Sequence, residues 1–211
     1  MSLAIETEFG RQSRDLPRKS LRILDVGPAL TGDRDAIEAL AMEWREVWEG
    51  VGFMSIINHG VSLDVTRRMT EAAKAFHDLP RDVKNSIPVT RDQKGYIPTR
   101  SGITTHSEFH QSSKPDTVEC LVLATDYPKD HPDVIAGKQF YGLMPWLAEE
   151  TLPGFRAAAE DYMTTITALG KKLLPVWARS LELDTSFFNP KFENAYTYFR
   201  MAKYPPKPDL D

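Results

Sequence analysis

Gly52-Phe53-Met54-Ser55-Ile56-Ile57-Asn58-His59-Gly60-Val61 is the stretch around which the rest of the chain arranges itself. Phe53 to Ile57 is a short apolar run rich in β-formers, bounded by Gly52 and by Asn58-His59-Gly60, and it predicts a buried strand that ends in a tight turn. The segments on either side have helical periodicity. Upstream, Ile37, Leu40, Ala41, Trp44, Val47, Trp48 and Val51 fall at the three-and-four spacing of one helix face, with Asp33 placed to cap it. The two tryptophans on that face read as core rather than as a ligand platform. Downstream, Ser62 caps a second helix in which Val65, Met69, Ala72, Ala73 and Phe76 share a face, and Pro80 opens a short third helix reaching Lys84.

Before this group, residues 1–20 lack periodicity and read as a flexible arm, and Leu21 to Val26 predicts a first strand stopped by Gly27-Pro28. Residues 86–118 carry prolines, glycines, serines and threonines without a sustained period, which suggests a substrate-contacting flap. Glu119 to Ala124 returns to strand character. From Phe155 the apolar positions Phe155, Ala159, Tyr162, Ile166, Leu169, Leu173, Val176 and Ser180 predict a helix over about 154–182, roughly 40 Å long at 1.5 Å per residue. Pro175 inside it predicts a kink near Lys171 or Lys172, or two helices in succession. Ala195 to Met201 alternates and is rich in aromatics, the pattern of a strand ended by Pro205-Pro206.

The 211 residues are 41% hydrophobic and carry a net charge of −4, enough for one sizeable core and without the basic excess that attracts nucleic acid or anionic membranes. No run is long and apolar enough to cross a bilayer. The single cysteine, Cys120, rules out an internal disulfide, and the reading is of a cytoplasmic protein. Phosphate-binding glycine loops, nucleophile elbows and Cys/His catalytic spacings are absent from the sequence. His106-Ser107-Glu108-Phe109-His110, with a distant His131, imitates a two-histidine, one-carboxylate iron site. Its Ser/Thr/Gly-rich surroundings favour ordinary solvated histidines, as the turn and helix-end positions of His59 and His77 favour structural roles. No metal ligand is assigned from the residues alone.

The ordered motifs carry more. The helix ending in Gly52-Phe53, the strand and Asn58-His59-Gly60-Val61 are followed by Phe76-His77-Asp78-Leu79-Pro80 with Lys84, and by Gly95-Tyr96. Lys114-Pro115-Asp116 with Glu119, Leu152-Pro153-Gly154-Phe155-Arg156 and Arg200-Met201-Ala202-Lys203-Tyr204-Pro205-Pro206 complete the series. In this order they resemble the N-terminal region of the 2-oxoglutarate/Fe(II)-dependent dioxygenases, the superfamily that includes isopenicillin N synthase. The resemblance spans about residues 22–208. It implies a mixed α+β fold: an N-terminal helical region over 21–190, then from 191–211 the first strands of a double-stranded β-helix, or jelly roll, left incomplete in this chain. It implies an oxidoreductase acting on a small organic molecule, with Fe(II) and 2-oxoglutarate as cofactors of the complete enzyme. Tyr204 matches a position that contacts 2-oxoglutarate, although Ala202 stands where the family usually has asparagine, and Tyr96 is expected to line the substrate entrance.

By the resemblance, the family's His-x-Asp pair, distant His and Arg-x-Ser pair are expected further along than residue 211. Iron and 2-oxoglutarate are therefore not expected to bind this chain alone, and its exposed apolar surface is expected to favour aggregation. Two alternatives remain: a non-catalytic binding module derived from the family, and a metal enzyme using His106, Glu108 and His110.

Overall fold

A computed structural model of the chain describes residues 21–99 and 117–206. The expected arm over 1–20 and the His106, Glu108 and His110 group lie outside the described residues. The chain forms a mixed helix-and-sheet structure with two compact units. One contains residues up to Gly60 together with Lys172–Pro190, and the other Val61–Lys171 with residues from Lys191 onward.

In the first unit, strand β1 (Arg22–Asp25) pairs in parallel with β2 (Met54–Ile57), and the connection carries the short helix α1 (Gly27–Leu30) and the long α2 (Arg34–Gly50). Asp33 caps α2 by accepting a hydrogen bond from the Ala36 amide at 3.0 Å. Of the predicted face of α2, Ile37, Leu40, Ala41, Trp44 and Val47 are in the core, whereas Trp48 and Val51 at its C-terminal end are exposed. Trp44 and Trp48 meet Trp177 with ring centroids 5.7 and 5.1 Å apart, but only Trp44 is core as read from the periodicity, since Trp48, at the end of the helix, is 45% exposed. The turn after β2 needs a left-handed residue, supplied by Asn58 at φ 55°, and the Asn58 amide donates to Asp25 at 2.8 Å to tie the two strand ends together.

The predicted burial of the β2 run is corrected here. Phe53 is 73% exposed and Ile57 47% exposed, and the strand alternates between half-buried and exposed positions. The physical reason is the sheet: with only two strands, one face packs through Leu24 while the other, bearing Ile23 and Phe53, is left uncovered by the described residues.

In the second unit, α3 (Leu63–Asp78) and α4 (Arg81–Asn85) precede a three-stranded antiparallel sheet of β3 (Gly95–Ile97), β4 (Glu119–Ala124) and β5 (Tyr198–Lys203), with β4 central. Ser62 caps α3 by accepting from the Asp64 amide. Strand β3 and the one-turn helix α5 (Pro132–Ile135) fall in segments whose sequence shows no period. Three residues are too few for a repeat, and β3 exists because β4 offers it partners from Val122 to Cys120. The last helix, α6 (Phe155–Ser180), is one continuous element with Pro175 inside it, not two helices in succession.

The core of this unit gathers Met69 and Phe76 of α3, Tyr96, Leu121, Leu123, Met201, and Phe155 and Ala159 of α6. Phe76 is fully buried and stacks on Phe155 at 5.4 Å. Phe76→Ala is expected to destabilise the fold by about 3–5 kcal/mol through lost burial and an unfilled cavity. Phe53→Ser, on the open sheet face, is expected to change stability by less than about 0.5 kcal/mol. Urea denaturation of both variants checks the pair, and a large loss from Phe53→Ser would show that the face is covered.

Candidate functional site

From residue 195 to residue 204 exposure follows strand alternation without a break, even-numbered residues outward and odd-numbered residues inward. The pattern begins before β5 because Thr125 continues the pairing, its amide donating to the Thr197 carbonyl at 2.9 Å and its hydroxyl accepting from the Thr197 amide at 2.8 Å. The inward residues Phe199 and Met201 join the core. The outward row is Tyr196, Tyr198, Arg200, Ala202 and Tyr204, and Tyr204 is 75% exposed.

Arg200 sits between two tyrosines and hydrogen-bonds the buried Cys120, and these neighbours hold its pKa above the ordinary guanidinium value. Beyond the start of the row, Phe140 meets Tyr196 with ring centroids 6.0 Å apart. The loop bearing Phe140 is pinned by Lys94, a fully buried lysine whose ammonium donates to the Thr125 and Gly142 carbonyls and lies 5.3 Å from the Tyr127 ring centre. Burial lowers the Lys94 pKa, with Asp126 and Asp92 opposing that effect.

What holds this sheet is a buried polar cluster on its inner face. The Glu119 carboxylate at the start of β4 accepts from Lys84 Nζ at 3.0 Å, from the Tyr96 hydroxyl and from His77 Nδ1 at 3.1 Å. Lys84 also donates to the His77 carbonyl at 2.9 Å, and Lys203 of β5 reaches the same carbonyl at 3.3 Å. Burial alone would raise the Glu119 pKa, but the hydrogen bonds from Tyr96, Lys84 and His77 outweigh it and hold the carboxyl below its ordinary 4.5. Burial lowers the His77 pKa below 6.5 against the pull of Glu119, and its Nε2 atom is buried without a partner among the described residues.

The structure therefore separates the two residues singled out from the sequence. Tyr204 lies at the open end of the outward row, whereas Tyr96 is only 2% exposed, with its hydroxyl engaged by Glu119. Tyr196, Tyr198 and Arg200 were not singled out as site residues, although their period-two spacing is the signal that reveals them. A separate open cleft of about 440 Å³ runs between α6 and the end of β4, but Asp126 on its wall is already engaged by the Met144 amide and the Trp146 indole. Among the described residues no three His, Cys, Asp or Glu side chains gather as a metal site, so the Fe(II) ligand set is not met there. The hydroxyl of Tyr204 and the guanidinium of Arg200 are, by contrast, donors suited to a carboxylate such as those of 2-oxoglutarate.

Residues 21–149 match the family described as non-haem dioxygenase in morphine synthesis N-terminal. A 2-oxoglutarate-Fe(II) type oxidoreductase of Aspergillus fumigatus is 31% identical over 189 residues, covering 88% of this chain and 55% of that protein. Isopenicillin N synthase of Amycolatopsis lactamdurans is 26% identical over 200 residues, covering 90% of this chain and 59% of the synthase. The crystal structure of full-length Neurospora crassa T7H in complex with alpha-KG superposes with a TM-score of 0.70 at 21% identity, covering 88% of this chain and 54% of that one. The chain thus spans about half the length of the curated relatives it matches.

The two buried acid–base groups set a pH dependence. Because His77 binds its proton less readily folded than unfolded, its contribution is whole above pH 6.5 and drains as the pH falls toward the folded value. The Glu119 contribution is present above its ordinary 4.5 and drains below it. Urea midpoints measured from pH 8 to pH 4 are expected to fall in these two stages, and His77→Asn, whose amide can still donate to Glu119, is expected to remove the upper one. An unchanged upper stage in that variant would contradict the assignment.

With more than half of its residues inside the family match and a 2-oxoglutarate-Fe(II) type oxidoreductase 31% identical over 88% of its length, the chain belongs to the N-terminal region of the non-haem, 2-oxoglutarate-Fe(II) dioxygenases.

Proposed function

We propose that this chain is the N-terminal part of a 2-oxoglutarate- and Fe(II)-dependent dioxygenase of the cytoplasm that oxidises a small organic molecule. The observation that carries the reading is the outward row of β5, a set of aromatic and cationic side chains ending in Tyr204-Pro205-Pro206 on a sheet of this family's fold. The family's N-terminal region occupies 21–190 and holds helices α1 to α6 together with β1 to β4, and the sheet that β5 enters at 191–211 is the beginning of a jelly roll completed by further strands. Tyr204 donates its hydroxyl to 2-oxoglutarate. Tyr96, expected at the substrate entrance, is instead buried with its hydroxyl on Glu119, and its part is to anchor β3 to the sheet.

When bound, Fe(II) and 2-oxoglutarate supply the oxidising chemistry. The described residues do not furnish the iron ligands, so their own part is to bind and orient. Arg200 and Tyr204 offer hydrogen bonds to anionic groups, the tyrosine rings offer apolar walls, and the Glu119 cluster keeps the strands rigid enough for those groups to stay aligned.

Calorimetry with Fe(II) and 2-oxoglutarate on the 211-residue chain, beside a chain extended by the remaining half of its relatives' length, tests this. The extended chain is expected to convert 2-oxoglutarate to succinate, and Tyr204→Phe to raise its KM for 2-oxoglutarate by about tenfold through loss of one hydrogen bond to a charged group. No succinate from the extended chain would favour the non-catalytic module. Tight one-to-one iron binding by the short chain would move the centre to His106, Glu108 and His110.

A further inference from the structure

Resting on that reading, we infer that the substrate class is a planar aromatic or heteroaromatic carboxylate, with the carboxylate on Arg200 and the ring along Tyr198, Tyr196 and Phe140. Three independent observations converge on it. First, Arg200 is exposed and makes no ion pair with a carboxylate among the described residues, its neighbours there being Cys120 and the phenols of Tyr198 and Tyr204. The arginines of α3 behave differently, since Arg67 and Arg68 are both paired with Asp64. An exposed guanidinium without an anionic partner among the described residues is a receptor for one, and its planar fork fits a carboxylate with two parallel hydrogen bonds.

Second, the flanking side chains on the same face are aromatic and outward, with Tyr198 52% exposed. Alternate residues of a strand lie about 6.5–7 Å apart, so a ring attached to a carboxylate on Arg200 reaches Tyr198 directly and Tyr196 with one further ring. Ala202, the next outward residue, is too small to offer a ring surface on the other side, so the aromatic wall extends from Arg200 toward Phe140 only.

Third, the far end of the wall is held in place at a conformational cost. Phe140 sits at φ 72°, a left-handed backbone that a bulky side chain rarely adopts, and its amide donates to Asp92 at 3.1 Å. Gly142 lies so close to the same aspartate that a Cβ there would come within 2.4 Å of its carboxylate, and Lys94 clamps the Gly142 carbonyl. A solvent-facing phenylalanine held this firmly, with Tyr196 beside it, is a surface for stacking.

The test is NMR of the full 211-residue chain, observing the arginine Nε–H and aromatic-ring signals on titration with benzoate, cyclohexanecarboxylate and 2-oxoglutarate. Benzoate is expected to shift Arg200 and Tyr198 together and to bind several-fold more tightly than its saturated analogue, since a ring contact adds a factor of about 2–10. Arg200→Gln is expected to weaken benzoate by about tenfold or more, Arg200→Lys to restore only part of the loss, and Tyr198→Leu to erase the preference for the aromatic acid. Equal binding of the two ring acids, or no response of Arg200 to benzoate, would overturn the inference. If 2-oxoglutarate alone shifts Arg200 and Tyr204, the cation serves the cosubstrate: the substrate class is then wrong while the dioxygenase reading stands. Failure of the dioxygenase reading itself is scored separately, by succinate formation in the extended chain.

Discussion

Lys84 and Glu119 are both withdrawn from solvent, their side chains only 7% and 12% exposed, and a charge in such a place persists only where other groups satisfy it. The demand shapes the second unit. Glu119 needs donors, and takes them from Lys84 on α4, Tyr96 on β3 and His77 at the end of α3. Lys84 needs acceptors beyond the carboxylate and finds the His77 carbonyl, on which Lys203 of β5 also converges. One cluster thereby joins the end of α3, the helix after it and all three strands of the sheet. Removing any member strands the others in low dielectric, so the cluster acts as a unit, and the register of β3 on β4 and of β4 on β5 is set where it sits.

The sheet fixed in that way has two faces with different duties. Inward residues of β5 bury Phe199 and Met201 against α3 and α6 through Phe76, Tyr162 and Phe155. The outward residues of the row are three tyrosines with Arg200 and Ala202, so aromatic side chains predominate there. The pinned loop carrying Phe140 extends that face, and Lys94 performs for the loop what Glu119 does for the strands, satisfying carbonyls that irregular backbone would otherwise leave open. A rigid inner face supporting a chemically equipped outer one is the arrangement that recognition of a small anionic molecule requires.

Much of this was legible in the sequence where the signal is local. The caps at Asp33 and Ser62, most of the buried face of α2 and the helical extent of α6 follow from periodicity and capping chemistry, which depend only on near neighbours, whereas the continuity of α6 through Pro175 does not. The exposure of Phe53 was not legible, because an apolar β-run looks the same whether or not another layer covers it. Strand β3 and the left-handed Phe140 were not legible either, since each depends on a distant partner, β4 for one and Asp92 for the other. For the site, Tyr204 was singled out through the resemblance, whereas Tyr198 and Arg200 required only the recognition that Ala195 to Tyr204 alternates strictly, which puts Tyr196, Tyr198, Arg200 and Tyr204 on one side.

The account turns on Glu119 as the group that holds the site-bearing sheet together, and amide hydrogen exchange of Glu119→Gln against the wild-type chain tests that most directly. A glutamine keeps the shape but leaves the Lys84 ammonium without its counter-charge, which for a buried pair costs about 3–5 kcal/mol. Exchange in β3, β4 and β5 is therefore expected to accelerate together by two orders of magnitude or more, while α2, in the other unit, changes far less. Unchanged protection of Leu121 and Leu123 in the variant would contradict the account, and would mean that apolar packing alone sets the sheet.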